Sequence, residues 1–457
     1  MSNFKSAKLK SQVIRVKCKH KKCKERSNIL KDEMIFKTYR LVNIFKIFTN
    51  SVFSRRNCLH KGGAPVLKKT LQFPKIDRLR ALKRELLSAP DTAPSGCVEA
   101  IRDYLWLQKQ LVGFPGCSIT IIHKNRVIMN EGLGYIDLEN RVAATSESVY
   151  RIASISKTLT STALGVLLYR KQLQLDDSIT KTQSKYDITI RQCASHTSGI
   201  RHYNPKSNEF LSQTRYESSK QALKIFEKDP LLFVPGTNFY YSTYNYTVLS
   251  AIIESITKQS FESFLQTQVF CPLQMDHTYC EYHSPIIPHR SKQYKRNDSH
   301  TQLINAPFVD NSNKFAGGGV LSTSWDIAWF GHVLINRMDD ELLLPKDVVL
   351  QLLAPYKRQN IDNKDSSENM LLTSKDGKKY GYGIGWKVQI SDVCKSANGD
   401  DIVYLLEASH SGGACGGSSF LLVRPKEQLV VCIMINFDDA PVTAIATQIA
   451  QIVESLI

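Results

Sequence analysis

The chain has 457 residues, 42% of them hydrophobic, and a formal net charge of +18, which is enough apolar material for a large core and two or three domain-sized units. The basic excess sits in the N-terminal fifth: residues 1–90 carry 24 Lys+Arg against 5 Asp+Glu, a net of +19, and the other 367 residues carry −1. A nucleic-acid-binding body would hold its basic residues on the folded domain, so this distribution argues against nucleic acid as a partner and for an appended basic tail.

Within that tail, Met34 to Phe53 places Leu41, Phe45, Phe48 and Val52 on one helical stripe, with Lys37, Arg40 and Lys46 interleaved. These cations interrupt the run before the roughly 18 apolar residues of a membrane span accumulate. A basic, acid-poor amphipathic segment followed by Arg55-Arg56 reads as an organelle-targeting presequence or a helix on a membrane surface. Lys outnumbers Arg here, unlike most presequences. Pro90, Pro94, Ser95 and Gly96 mark the break between tail and body.

Val98 to Leu111 reads as an amphipathic helix with Ile101, Leu105 and Leu107 on its apolar side. Cys117 to His123 and Arg126 to Asn130 read as strands joined at Lys124-Asn125. From Tyr150 to about Asn305 the pattern is mainly helical, with loops at 195–207 and 235–246. Thr158 to Arg170 carries apolar residues at Leu159, Ala163, Val166, Leu167 and Tyr169, as a buried helix would. Strand signals return at Tyr382 to Ile390, Ile402 to Ser409, Gly417 to Val423 and Gln428 to Asn436, and Val442 to Ile457 closes the chain as a helix.

Strands and a helix at both ends with helices between them predict an α/β (α+β) fold: an antiparallel sheet flanked by N- and C-terminal helices, with an inserted mainly helical domain. The expected division is a tail over 1–95, a sheet domain from 96–149 and 306–457, and the insertion over 150–305, with a site at the seam. Eleven cysteines, odd in number and without a Cys-x-x-Cys pair, support neither a zinc site nor a disulfide framework. Cys193, Cys271, Cys415 and Cys432 are expected as buried packing residues. No metal or other cofactor is expected.

Ser154-Ile155-Ser156-Lys157 carries the chemistry. Serine and lysine at i and i+3 share a helix face, and an amine in a partly desolvated site can take the proton of a serine hydroxyl. Ser-x-x-Lys also occurs at Ser2, Ser178 and Ser255, so the partners decide. Pro235-Gly236 leads into Tyr240-Tyr241-Ser242-Thr243, where Tyr241 can shuttle a proton if Lys157, as a nearby cation, lowers its pKa. Ala408 to Gly413 ends a strand in small residues, along which a substrate can pair. The backbone N–H groups of Ser154, Gly412 and Gly413 are candidate oxyanion donors, and His410 a candidate sensor of a substrate carboxylate. An imidazole of ordinary pKa, about 6.5, would lose its charge as pH rises above about 7, and activity on carboxylate-bearing substrates with it. His196-Thr197-Ser198-Gly199 reads as a tight turn held by hydrogen bonds, and Gly317 to Gly319 as a place of close backbone approach, since no phosphate-loop pattern follows.

Ser154-x-x-Lys157, Tyr241-Ser242-Thr243 and His410-Ser411-Gly412, in that order, resemble the three motifs of the penicillin-binding-protein and class C beta-lactamase superfamily, with His where the third motif usually has Lys. Arg151 to Lys157, Ser195 to Tyr203, Val309 to Gly319 and Ser409 to Gly413 are similar to its mitochondrial serine beta-lactamase-like branch in animals, over roughly residues 95 to 456. The resemblance implies a serine hydrolase, peptidase or esterase, of the mitochondrial intermembrane space, linked to lipid metabolism and to filament formation. It makes Ser154 the nucleophile, Lys157 and Tyr241 the base pair and His410 a substrate-orienting group. Thr243 stands where many members have Asn and cannot offer an amide's donor and acceptor together, so ordinary beta-lactam recognition is not expected. The expected partners are a peptide or small ester substrate, a second copy of the chain in an oligomer or filament, and a membrane surface through the tail. A catalytically dispensable scaffold is the competing reading; four intact site residues weigh against it.

Overall fold

The computed structural model describes residues 75–88, 95–179, 187–359, 367–369, 372–373, 379–391, 394–395, 401–402 and 404–457. The expected targeting segment at 34–53 lies outside them. Within the stretch read as tail, α1 (Ile76–Ser88) buries Leu79 and Leu86 in the larger hydrophobic core, and Lys83 Nζ donates to Gln274 O. These residues therefore pack on the body.

α2 (Ser95–Val112) runs into β1 (Gly116–His123), which turns back through Lys124 and Asn125 into β2 (Arg126–Asp137). Both turn residues take left-handed φ values, +48° and +59°, as a two-residue hairpin in the sense of strand twist requires. β3 (Val142–Ala143) ends this part of the sheet. The chain then passes through α3 (Ser156–Tyr169), α4 (Thr243–Thr257), the short α5 (Phe315–Gly318) and α6 (Ser324–Gly331). It returns to the sheet as β4 (Leu372–Thr373), β5 (Lys379–Tyr382), β6 (Lys387–Ile390), β7 (Leu405–Ala414), β8 (Gly417–Arg424) and β9 (Leu429–Ile435), and ends in α7 (Val442–Leu456).

These nine strands form one sheet in the order β4-β5-β6-β7-β8-β9-β1-β2-β3, every neighbouring pair antiparallel. The pairing of β1 with β9, Cys117 opposite Ile435 through His123 opposite Leu429, joins the two ends of the chain. The expected antiparallel sheet, built from N- and C-terminal segments with helices between them in sequence, is what is found.

β9 reads Leu-Val-Val-Cys-Ile-Met-Ile and is buried throughout. Alternate side chains of a strand face opposite ways, and both faces here are covered. Val431, Ile433 and Ile435 join Ile101 and Leu105 of α2 and Ile445, Ile449 and Val453 of α7. Val430, Cys432 and Met434 join Ile327, Trp329 and Phe330 of α6.

The structure corrects four local expectations. Leu107 is 52% exposed, because two residues on from Leu105 is about 200° around a helix; the buried stripe is Cys97, Val98, Ile101 and Leu105. Tyr169, at the end of α3, is also exposed, and so is Cys271. The run Tyr382 to Ile390 is two strands, broken where Gly383 N donates to Trp386 O and Gly385 takes φ +75°. Among the described residues no helix is long and apolar enough to cross a membrane.

This packing makes a contrast measurable by urea denaturation. Ile445→Ala, deleting a fully buried side chain between α7 and the sheet, is expected to cost about 2–5 kcal/mol. Leu107→Ala should stay within about 0.5 kcal/mol of wild type; comparable losses would contradict the assignment of faces.

Candidate active site

The serine sits on a strained and heavily tied turn. Tyr150 and Arg151 pair with Ser322 and Leu321 as a short strand. Ala153 then takes φ +46°, uncommon for a residue with a Cβ, and Ala153 to Ile155 make one 3₁₀ turn leading into α3. Ser156 Oγ donates to Ala153 O at 2.7 Å and accepts from Val320 N at 3.2 Å. Ser419 Oγ, on β8, donates to Ile152 O at 2.8 Å. Ser154 itself is left partly exposed.

Lys157, one residue into α3, is fully buried, and its Nζ lies 3.0 Å from Ser154 Oγ and 3.5 Å from Thr243 Oγ1. It also donates to Gly317 O of α5. The rings of Tyr241 and Tyr246 pack against it at 4.9 and 5.3 Å. Burial first, and the cation of Lys314 second, push the amine well below the usual lysine range. A neutral amine at this distance can accept the hydroxyl proton of Ser154.

Tyr241 is held just before α4. Its hydroxyl comes near Ser154, whose influence would lower its pKa, but burial outweighs that and raises it. The expected lowering by a lysine cation is therefore overturned: burial sets the direction for both groups, lowering the Lys157 amine and raising the Tyr241 phenol. The buried His196, at φ +63°, stacks 4.3 Å from the Tyr241 ring, and its Nδ1 accepts from Ser242 N at 3.2 Å. The His196 turn so positions the tyrosine loop. Thr243, in the place of the Asn of related motifs, accepts from Lys157 through Oγ1 while its N–H donates to His202 Nδ1.

His410 lies on β7, but its imidazole is used up by the protein. Nδ1 is 2.7 Å from Ser411 O and must donate, since a carbonyl only accepts; Nε2, 2.7 Å from Tyr382 Oη, then accepts. Burial, followed by Lys157, lowers its pKa to about 3. The expectation that His410 is a partly charged carboxylate sensor near pH 7 is thus corrected, because burial disfavours the imidazolium and both ring nitrogens are taken up by Ser411 O and Tyr382 Oη. Its neighbours on the strand divide. Gly413 lines the cavity over Ser154. Gly412 packs under the seryl turn, where a Cβ would come within 2.4 Å of Ile152 O and 3.0 Å of Ala153 Cβ.

The cavity, about 300 Å³, brings together Ser154, Tyr241, Thr243, Gly317 and Gly413. Two cations line it that the motif reading passed over, Arg151 and Lys314. Both stand inside quoted motif blocks, so burial, which a sequence does not display, was the missing signal. Arg151 Nε donates to both oxygens of Glu281 at 2.9–3.0 Å, and Glu281 also accepts from Arg290 and Asn311. Among the described residues no cluster suited to a metal ion occurs.

A nine-stranded antiparallel sheet with a serine, a buried amine and a tyrosine converging beside it defines a serine hydrolase of the beta-lactamase-related class. A family model described as Beta-lactamase matches residues 107–454. The chain is 31% identical over 417 residues, 72% of each chain, to the serine beta-lactamase-like protein LACTB, mitochondrial, of Homo sapiens. In fold it is similar to the octameric penicillin-binding protein homologue from Pyrococcus abyssi (TM-score 0.63, 21% identity, 78% of this chain and 77% of that one). It is also similar to the D-amino acid amidase from Ochrobactrum anthropi (TM-score 0.61, 18% identity, 79% and 98%). The chain belongs to the beta-lactamase family.

The contrast between the two glycines is open to thermal melting. Gly412→Ala forces its methyl into Ile152 and Ala153, an overpacking expected to cost about 1–3 kcal/mol. Gly413→Ala, with nothing within 4 Å of a new Cβ, should melt as wild type does; equal losses would refute the packing of Gly412 beneath the turn.

Proposed function

We propose that this hydrolase is a peptidase that forms an acyl-enzyme on Ser154. Lys157, fully buried with its Nζ 3.0 Å from Ser154 Oγ, is the observation that carries the reading. In the proposed reaction Ser154 Oγ attacks a carbonyl carbon as its proton passes to Lys157. The carbonyl oxygen becomes an oxyanion held by the N–H groups of Ser154 and Gly413. Tyr241, whose hydroxyl comes near Ser154, relays the proton to the departing amine or alcohol, and the C–N or C–O bond breaks. Water then adds to the acyl-enzyme by the reverse proton path, releasing the acid and restoring Ser154. His410 and Gly412 are proposed as supports of the strand and the turn.

A peptide is favoured over a small ester by the edge of β7. It pairs with β8 as far as Ala414, whereas on its other side β6 stops at Ser409, and no described strand continues past it. The open stretch 410–414 runs beside the cavity and offers backbone groups to an extended substrate. The mitochondrion is the proposed location, supported by the basic 34–53 segment and the mitochondrial relative. A role in lipid metabolism, a membrane contact through the tail and homo-oligomerisation are carried as proposals from the family resemblance; the Pyrococcus abyssi homologue is octameric.

A fluorophosphonate probe should label the wild-type protein at neutral pH and fail on Ser154→Ala; equal labelling would sink the acyl-enzyme. Lys157→Met is expected to lower kcat/KM by roughly 10²- to 10⁴-fold.

The amine must be unprotonated to act as base, so activity is lost as pH falls through the Lys157 pKa and is regained above it. Because burial lowers that pKa, the acid limb should lie below the ordinary lysine range. An acid limb at the ordinary lysine value, near 10.5, would rule Lys157 out as the base.

A further inference from the structure

Behind the turn that carries Phe210 lies a second cavity, about 540 Å³ and larger than the one over Ser154. Phe210 and Lys314 line the catalytic cavity, while their chain neighbours Glu209, Leu211 and Asn313 line this one, so the same two segments wall off both. Lys314 Nζ ties those segments together by donating to Phe210 O at 3.2 Å. The second cavity has no part in the chemistry proposed above.

Its lining decides what it can take. No Lys, Arg or His is among the described residues that line it, so nothing there would balance an anion. Its carboxylate, Glu209, is already spent: Oε2 accepts from Arg201, from Asn204 N and from Tyr244 Oη at 2.7–2.8 Å, and Oε1 from Arg201 and Ser207 at 2.9–3.0 Å. A cation would find no free carboxylate oxygen, and a neutral ligand remains. Leu211, Ile225 and Tyr216 offer it apolar surface. Asn313 offers the polar group: it is 2% exposed, and neither Nδ2 nor Oδ1 has a hydrogen-bond partner among the described residues. Its backbone is held, because Thr247 Oγ1 donates to Asn313 O at 2.9 Å.

A buried amide with both ends unpaired destabilises the chain that carries it, and a group bringing a donor and an acceptor together relieves both ends at once. Another primary carboxamide does this in one plane, and turning the Asn313 amide over leaves that counterpart unchanged. We propose that this cavity is a ligand site separate from the catalytic one, and that it takes a small neutral primary carboxamide. The ligand's amide pairs with Asn313 and its apolar part lies against Leu211 and Ile225; the volume is that of a small-molecule pocket. The site stands whether or not Ser154 is acylated.

Benzamide and acetophenone are matched in size and carbonyl, and only the amide has N–H donors. In a ligand-observed NMR titration the full chain should bind benzamide roughly 3- to 10-fold more tightly than acetophenone, the range of one net hydrogen bond. Asn313→Leu, which keeps the side-chain volume and removes the amide, should bring the two affinities together. Thr214→Trp, at an exposed position of the lining, should fill the cavity and remove the preference as well; it decides alone if circular dichroism shows that Asn313→Leu does not fold. Wild-type protein that binds benzamide no better than acetophenone, or not at all, overturns the proposal. So does a preference that survives in either folded variant, since the amide would then be bound elsewhere, the Ser154 cavity included.

Discussion

The arrangement around Ser154 depends on one desolvated amine. A lysine side chain sealed from water is stable only if it sheds its charge or gains a counter-charge, and among the described residues no carboxylate lies within ion-pair distance of Lys157; its partners are Ser154 Oγ, Thr243 Oγ1 and Gly317 O. Several small residues exist to let that environment close. A Cβ on Gly317 would lie 2.5 Å from Thr243 Cγ2, and one on Gly385 would lie 2.6 Å from Lys157 O. Gly385 also takes φ +75°, a conformation open to glycine. The glycine cluster of α5 and the turn between β5 and β6 thus press the backbone onto the same lysine from two sides.

The second constraint is the positive φ of Ala153, of the kind that costs on the order of 1–3 kcal/mol and persists only where the surroundings over-determine it. Here they do so from four directions: Ser156 from α3, Val320 from the short strand beside Arg151, Ser419 from β8, and Gly412 packed beneath. The second serine of Ser154-x-Ser156-Lys157 is part of this lock. Because β8 and β7 belong to the sheet that joins the chain ends, the geometry of the serine is coupled to the main fold. The buried Arg151–Glu281 pair extends the same logic, with both Glu281 oxygens satisfied by Arg151, Arg290 and Asn311.

Much of this was legible in the sequence wherever the signal was local. Lys124-Asn125 between two strand-like runs gave the first hairpin, and the β-rich run Gln428 to Asn436 gave β9, whose burial on both faces only the structure shows. The order of Ser154, Tyr241 and His410 announced one site. What was hidden depended on partners far along the chain. The low pKa of His410 is set by burial and then by Lys157, and its Nε2 is tied to Tyr382, 28 residues earlier. The pKa directions of Tyr241 and Lys157 are set by burial: a desolvated amine was expected at Lys157, but the phenol was expected to move down and moves up. Lys314 stands in Asn-Lys-Phe-Ala-Gly-Gly, where the glycines draw the eye and a lysine passes for a solvated residue. Leu107 failed for a simpler reason: an apolar residue was counted without its angle around the helix.

Depth also sorts the basic groups of the site. His196 and His410 are buried with their nitrogens turned into the protein, His202 is brought to about 4 by burial and then by Lys157, and the Lys157 pKa is pushed well below the usual lysine range by burial. Arg151, a guanidinium, and Lys314 line the wall. A cavity with a buried base of lowered pKa and two basic side chains in its lining favours a reaction that develops negative charge on oxygen. Lys314 also acts on that base: its charge disfavours protonation of Lys157, and the two lysines meet at one turn of α5, Lys314 at its N-terminal end and Lys157 on Gly317 O.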